Sequence, residues 1–333
     1  MANSSSYAKK LLIQARIQGW LNANAKTQFD KIVASAKNET PSEIIDQITS
    51  KKILTESQVA HLHAILEDKN WDDQKQEATP SLFFIQKICK TYKTPESHFL
   101  ALKDINLNIY QGEILGILGF SGSGKSTLLN ILGLLSTPDP VGDIFFQGTR
   151  YKDLSNKQRD ILRNKNFGFI FQESHLLAHL STIENVALPL RLQNYSDAEC
   201  YEKSKNILLN FMTTGEKEQG KMFFNKKPSQ LSGGQKQRVA AARAIVHKPQ
   251  VIFADEPTGN LDFDTAIMVM NVLLKAAKEH DTTVILVTHN PSQARQYCDR
   301  FVWMENGHLK NHLATGMANT MMLVKQLSGK ELR

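Results

Sequence analysis

The chain has 333 residues, of which 41% are hydrophobic, and a formal net charge of +7. That length holds one large domain or two, with apolar content enough for a sizeable core. No apolar run approaches the roughly 18–20 residues of a membrane-spanning helix, and Met1 to Lys10 is too polar for a secretory leader, so the composition argues against an integral membrane or secreted class and predicts a cytosolic chain. Cys89, Cys200 and Cys298 are far apart and form no paired motif, which predicts reduced thiols with packing roles. Residues 1–80 hold ten Lys+Arg and ten Asp+Glu, so the basic excess lies entirely in 81–333. A basic surface attracts nucleic acid, anionic headgroups or nucleotide phosphates, and charge alone does not choose among them.

Residues 1–75 read as helical. One helix is expected from about Ala8 to Trp20 and a second from about Lys26 to Lys37, where Phe29, Ile32, Val33 and Ala36 recur at helical spacing. Thr40-Pro41-Ser42-Glu43 has the proline and acid of a helix start, with Ile44, Ile45 and Ile48 following on one face. Thr55-Glu56-Ser57-Gln58 reads as a capping box opening a fourth helix with Val59, Leu62, Ile65 and Leu66 inward. His61 and His63, two apart, do not share a helix face and read as solvated residues. No catalytic constellation occurs here, which points to a docking or regulatory module. The polar stretch Asn70 to Pro80 reads as a linker.

Leu82-Phe83-Phe84-Ile85 begins a strand and with it a second domain. Tyr92 reads equally as a packed edge tyrosine or as a ring for stacking a base. The apolar run Ile114 to Leu118 reads as a buried strand and Leu128 to Leu132 as the start of a helix. Between them stands Gly119-Phe120-Ser121-Gly122-Ser123-Gly124-Lys125-Ser126-Thr127, a full G-x-x-x-x-G-K-S pattern in strand–loop–helix context. Its glycines let backbone N–H groups turn toward phosphate oxygens, and the helix N-terminus adds partial positive charge. Lys125 is placed to reach β- and γ-phosphates and Ser126 to hold Mg²⁺. Ile144-Phe145-Phe146 reads as a strand, Gly148 as a turn, and Phe167 to Phe171 as a strand ending at Gln172, where α/β folds meet ligands. Residues 175–230 read as helical, broken by Pro189, Gly215 and Gly220, with the lysine-bearing Gly215 to Lys227 as a solvated loop.

Leu231-Ser232-Gly233-Gly234-Gln235 opens an alanine-rich helix and makes a second anion site. Val251-Ile252-Phe253-Ala254 reads as a buried strand ending in Asp255-Glu256, the arrangement of a Mg²⁺-holding acid followed by one that polarises water. Val284 to Val287 is a last buried strand, followed by Thr288 and His289, a residue that can donate to a γ-phosphate. Residues 312–333, with Met317, Met321, Met322, Leu323 and Val324, form an expected tail.

From about Leu82 to Lys310 the chain resembles the nucleotide-binding subunit of an ABC transporter. Gly119 to Thr127 matches the Walker A loop, Gln172 the Q-loop, Leu231 to Gln235 the signature motif, and Val251 to Glu256 Walker B with its glutamate. Leu261-Asp262 matches the end of the D-loop, His289 the switch histidine, and Tyr92 falls where the family's adenine-stacking aromatic lies. The runs Gly168 to Gln172, Thr182 to Val186 and Pro257 to Asp262 resemble the group containing the lipoprotein-releasing ATPase LolD, the macrolide exporter MacB and the cell-division ATPase FtsE. Three features depart from the usual pattern: residues 1–80 have no counterpart in single-domain members, Gly215 to Lys227 is long, and Phe120 is a bulky residue at a variable position of the Walker A loop.

The resemblance implies an α/β P-loop NTPase of ABC type. It comprises a mixed sheet core, an antiparallel β region and a helical subdomain at about 175–245, all within 82–311, with a small all-α domain before it. It implies ATP as substrate with Mg²⁺, held by Ser126, Gln172 and Asp255, and catalysis by Glu256, His289 and Gln172. Two copies are expected to pair head to tail, each signature segment facing the nucleotide on the other copy's Lys125. A separate integral membrane permease is the expected partner, with the chain peripheral on the cytoplasmic face of the membrane and no nucleic acid involved. The alternative is an ATP-driven transmembrane signalling regulator of FtsE type.

Overall fold

The computed structural model describes residues 28, 31–32, 41–51, 53–56, 58–60, 81–93, 95, 97–259 and 261–314. The expected helix at 8–20, most of that at 26–37, His61, His63, the linker at 70–80, Asn260 and the tail beyond 314 lie outside the described residues. The chain divides into two compact units. One gathers Met1–Cys89, Lys103–Gln111 and Asp139–Ser155, and the other Lys90–Leu102, Gly112–Pro138 and Asn156–Arg333.

In the first unit, α1 (Pro41–Ser50) starts where the Thr40-Pro41 signal places it and fully buries Ile44, Ile45 and Ile48. The capping box forms: the Thr55 N–H donates to Gln58 Oε1 (2.9 Å), and the Gln58 N–H to Thr55 Oγ1 (3.3 Å). Strands β1 (Ser81–Lys93), β2 (His98–Tyr110), β4 (Asp143–Phe146) and β5 (Thr149–Arg150) make a sheet of order β2-β1-β4-β5. Antiparallel register sets Phe83 opposite Phe146 and Phe84 opposite Phe145. Ala60, from the helix opened by the capping box, packs on Phe84 and Phe145.

The second unit is built on a six-stranded sheet of order β10-β9-β3-β8-β7-β6. Its strands are β3 (Ile114–Gly119), β6 (Phe167–Ile170), β7 (Val251–Asp255), β8 (Thr283–Thr288), β9 (Arg300–Glu305) and β10 (His308–Ala314). All are parallel except β10, which runs antiparallel to β9. Every residue of β3 and β8 is buried, which is why both read as uninterrupted apolar runs in the sequence. Strand β10 continues to Ala314, three residues past the expected domain end at 311.

The helices of this unit are α2 (Lys125–Leu132), α3 (Asn156–Asn166), α4 (Thr182–Leu192), α5 (Asp197–Leu209), α6 (Thr214–Gln219), α7 (Lys221–Asn225), α8 (Gly233–Ile245), α9 (Phe263–His280) and α10 (Pro291–Tyr297). Two sequence expectations fail here. Pro189 does not break the chain but sits inside α4, whose Ile183, Val186, Ala187 and Leu190 are buried. Burying four apolar side chains offsets the ~3 kcal/mol that an internal proline costs. Gly215 to Lys227 is not a loop: it holds α6 and α7, with Gly215 inside α6 and only Gly220, at φ +52, interrupting. Its lysines face outward as expected, but Glu216, Phe223 and Phe224 are buried.

Cys200 and Cys298 are buried free thiols and Cys89 a half-buried one. Burial pushes Cys298 up to about 12, which keeps it a thiol at any ordinary pH. His247, just past α8, sits with Nε2 3.1 Å from the Phe167 carbonyl, which places its proton on that nitrogen. Burial lowers its pKa from 6.5 to about 4. Between those values the unfolded chain binds a proton that the folded one does not, so this group removes stability as pH falls from about 6.5 to about 4 and contributes no slope above. Replacing it by His247→Gln should flatten the urea-denaturation free energy across that window, by up to ~1.4 kcal/mol per pH unit relative to the parent.

Candidate functional site

The parallel register of β3, β8 and β7 brings their C-terminal ends to one edge, and the loops leaving those ends form the site. A cleft of 820 Å³ is lined by Gly119, Phe120, Ser121, Gly122, Gly124, Lys125, Ser126 and Thr127 from the β3–α2 loop. Gln172 from beyond β6, Asp255 and Glu256 from the end of β7, and His289 from the end of β8 line the same cleft.

The loop's shape depends on two glycines. Gly119 sits at φ +153, and a Cβ there would lie 2.1 Å from the Met304 carbonyl oxygen. Gly124 caps α2 at φ +103, where a Cβ would lie 2.5 Å from the Ala101 carbonyl. Lys125 is buried, and its Nζ donates to the carbonyls of Gly119 (2.9 Å) and Phe120 (2.7 Å). Desolvation lowers its pKa, while the nearby Glu256 and Asp255 carboxylates act the other way. Asp255 is shifted up by burial, against a hydrogen bond from the Ser126 hydroxyl. Glu256 takes a left-handed backbone conformation at φ +46, its N–H donating to the Val287 carbonyl (3.0 Å). Its Oε1 accepts from His289 Nδ1 at 2.9 Å, so residues 33 apart in sequence form one pair.

Tyr92 is exposed and touches the loop only through a long contact of its hydroxyl with Thr127 Oγ1 (3.5 Å). The aromatic residues that line the cleft are Phe99, Phe120 and Trp303. Phe120 stands edge-on to Trp303 with ring centroids 5.5 Å apart. Sequence reasoning passed over Phe99 and Trp303, whose only sequence signal is their place in strands.

The segment Leu231 to Gln235 does not line this cleft. Ser232 caps α8: its Oγ accepts from the Gln235 N–H (3.2 Å), and its own N–H donates to Gln235 Oε1 (2.9 Å). Ser232 and Gly233 are exposed. Asp262 caps α9 by accepting from the Thr265 N–H (2.9 Å), which holds its carboxyl below the usual range. The same helix α8 brackets Gln172. Gln237 Nε2 donates to the Phe171 carbonyl (2.8 Å) and to that of Pro257 (3.2 Å), and Arg243 donates to the carbonyls of Ser174 and His175. Nothing local in the sequence marks Gln237 or Arg243 for this.

A glycine-rich strand–helix loop, strand-end acids and a paired histidine in one cleft can be set beside known proteins. The ABC transporter family model matches residues 102–259. The lipoprotein-releasing system ATP-binding protein LolD of Wigglesworthia glossinidia brevipalpis is 42% identical over 224 residues, covering 67% of this chain and 94% of that one. The chain belongs to the ABC transporter ATP-binding subunits. The macrolide export ATP-binding/permease protein MacB of Syntrophobacter fumaroxidans is 43% identical over 228 residues, 68% of this chain but 31% of that protein. Among solved structures, the dimeric ATP-binding cassette MJ0796 bound to ADP and Pi superposes with a TM-score of 0.64 at 37% identity, covering 70% of this chain and 99% of that one. This ABC subunit is therefore of LolD/MacB type, and among its described residues no helix is long and apolar enough to cross a membrane.

Within this ABC subunit, Gln237 is the buried donor that ties the chain ahead of Gln172 to the chain after Glu256. Substituting Gln237→Leu leaves both carbonyls without that donor and should cost ~1–3 kcal/mol, read as a drop in urea midpoint at constant slope.

Proposed function

We propose that this chain is the ATP-hydrolysing, energy-coupling subunit of an ABC transporter, working as a head-to-tail homodimer on a separate membrane permease of the lipoprotein-release or macrolide-export type. The observation that carries the reading is the convergence of Lys125, Asp255, Glu256 and His289 on one cleft at the strand ends. Lys125 and the loop N–H groups from Gly119 to Thr127 take the β- and γ-phosphates. The Ser126 hydroxyl and the Asp255 carboxylate, already hydrogen-bonded, and the Gln172 amide in the same cleft are hard oxygen donors of the kind Mg²⁺ takes. Bound there, the ion supplies charge neutralisation to the phosphate oxygens.

Glu256 orients the attacking water and draws on its proton. His289, bonded to that carboxylate, keeps it aimed and steadies the γ-phosphate. Gln172, bracketed by α8, reports the state of the cleft to the helical region. Tyr92 is assigned to the adenine ring, and Phe99 stands in the cleft wall. Of the signature segment Leu231 to Gln235, Leu231 is anchored in the core while Ser232 and Gly233 stand exposed outside their own cleft, which suits an anion site completed by a second copy. The MJ0796 cassette is itself dimeric, which supports pairing of two copies, and Asp262 lies beside Gly234.

A groove of 510 Å³ suits the permease. Leu135, Ile161 and Leu192 line it with their side chains exposed, and Phe171, next to Gln172, forms part of its wall. Membrane association through such a groove makes the chain peripheral on the cytoplasmic face. Residues 1–75 are proposed as a docking or regulatory module, for which the packing of Ala60 on Phe84 and Phe145 gives an attachment point.

The test is Glu256→Gln. Turnover should fall at least ~100-fold while ATP binding persists, and steady-state hydrolysis near the parent level would sink the assignment. The same variant, loaded with ATP and used as bait in solubilised native membranes, should retain a permease. Adding Leu192→Asp to it should abolish that capture, and undiminished capture would remove the groove from the interface.

A further inference from the structure

The segment that is longer than the family pattern, Gly215 to Lys227, carries a buried carboxylate, Glu216, which bonds Gln235 at the end of the signature segment. We propose that Glu216 is a positioning residue: it sets the side-chain orientation of Gln235 and joins the start of α8 to the start of α9. This rests on the reading that Ser232 to Gln235 act on nucleotide held by a second copy.

Glu216 is itself fixed. It is the third residue of α6, capped by Thr213, whose N–H donates to Glu216 Oε2 (2.8 Å). That leaves Oε1 to face α8, where it accepts from Gln235 Nε2 (2.9 Å) and pairs with the Arg238 guanidinium. Side-chain exposure is only 7% for Glu216 and 8% for Arg238. An ionised carboxylate can only accept, so it selects one of the two amide orientations of Gln235. With Nε2 given to Glu216, Oε1 is turned to accept the Ser232 N–H (2.9 Å). The flipped amide would set oxygen against carboxylate and NH₂ against N–H, losing both bonds.

Arg238 extends the link. Its second nitrogen approaches Thr265 Oγ1 (3.4 Å), and the Thr265 N–H is held by Asp262 (2.9 Å). Gly234 lies against the same two residues, where a Cβ would still find ordinary contact at 3.6 and 3.8 Å. One carboxylate thus connects the cap of the signature helix, through Gln235, with the cap of α9, through Arg238. A buried ion pair is no surer a source of stability than apolar side chains of the same volume. What it adds over them is direction: it dictates which way Gln235 points and holds two helix N-termini in register.

The test uses the full chain. In the Glu256→Gln background, Glu216→Gln and the charge-free pair Glu216→Met with Arg238→Met are compared for melting temperature, binding of a fluorescent ATP analogue, and ATP-driven dimerisation by sedimentation. The expected result is nucleotide binding within twofold of the parent and a dimer dissociation constant raised at least tenfold, including in a Met/Met variant that melts at the parent temperature. A Met/Met variant with parental melting and parental dimerisation would show the pair to be structural only. A cycle of Glu216→Gln and Gln235→Ala on kcat/KM in the otherwise unaltered chain keeps the idea testable if Met/Met fails to fold. Each single change should lower kcat/KM at least tenfold, and the double no further than either alone. Additive losses would overturn the proposal. If the Glu256→Gln chain binds ATP and never dimerises, the head-to-tail reading falls, and the kcat/KM cycle still decides whether Glu216 acts through Gln235.

Discussion

The site depends on parallel pairing. Because β7, β8 and β3 run the same way with Asp255 level with Val287 and Thr288 level with Leu118, the residues that leave their ends arrive together. A parallel ladder allows no tight turn between neighbours, so each strand is followed by a loop free to carry polar groups. β3 and the first four residues of β7 are buried and carry only apolar side chains or glycine. Charge is therefore confined to the edge, where Lys125 meets Asp255 and Glu256 in partial burial. The opposed pKa directions of Lys125 and Asp255 both come first from desolvation, so each group is held at some cost to its charged form. A polyanion with its counter-ion would replace the water that these groups have lost.

Backbone strain gathers at the same edge. Glu256 is a non-glycine residue at φ +46, immediately after a buried strand, and its N–H is committed to Val287. This conformation turns the side chain out of the strand direction to meet His289. Its cost, on the order of 1–2 kcal/mol, is met by the packing of β7 between β6 and β8. Gly119 and Gly124 fill the same role on the loop side without that cost, since neither has a Cβ to place.

The sequence was most legible where chemistry and periodicity coincide in a short window. The G-x-x-x-x-G-K-S loop, the acid pair after Val251 to Ala254, and the Ser232 and Thr55 caps each depend on residues at most a few positions apart, and their local geometry follows from that. Pro189 was misread because the packing that keeps α4 intact comes from residues elsewhere in the chain. Gly215 to Lys227 was misread because its lysines report only the solvent face, while the glutamate that matters is buried by Gln235 and Arg238, some 19 and 22 positions away. Phe99 and Trp303 in the cleft wall, and Gln237 beneath it, were invisible for the same reason: their partners are set by the sheet order, which no window of sequence contains.

The helix α8 carries more than the signature segment at its start. Within a single turn it presents Gln235 to Ser232, Gln237 to the chain on both sides of the cleft, and Arg238 toward the α9 cap, and farther along it Arg243 holds the two residues that follow Glu173. These are directional bonds from one rigid element, and a helix cannot move its first turn without moving its third. On the proposed function, a second copy displacing the exposed Ser232–Gly233 end would act on the residues flanking Gln172, because Gln237 bonds the Phe171 carbonyl and Arg243 those of Ser174 and His175. On the proposed function the route also runs backward, since any coupling between two sites is reciprocal in free energy: a permease seated in the groove would bias the presentation of the signature segment. This places the two proposed partners, a second copy and a permease, on opposite ends of one helix rather than in separate regions of the fold.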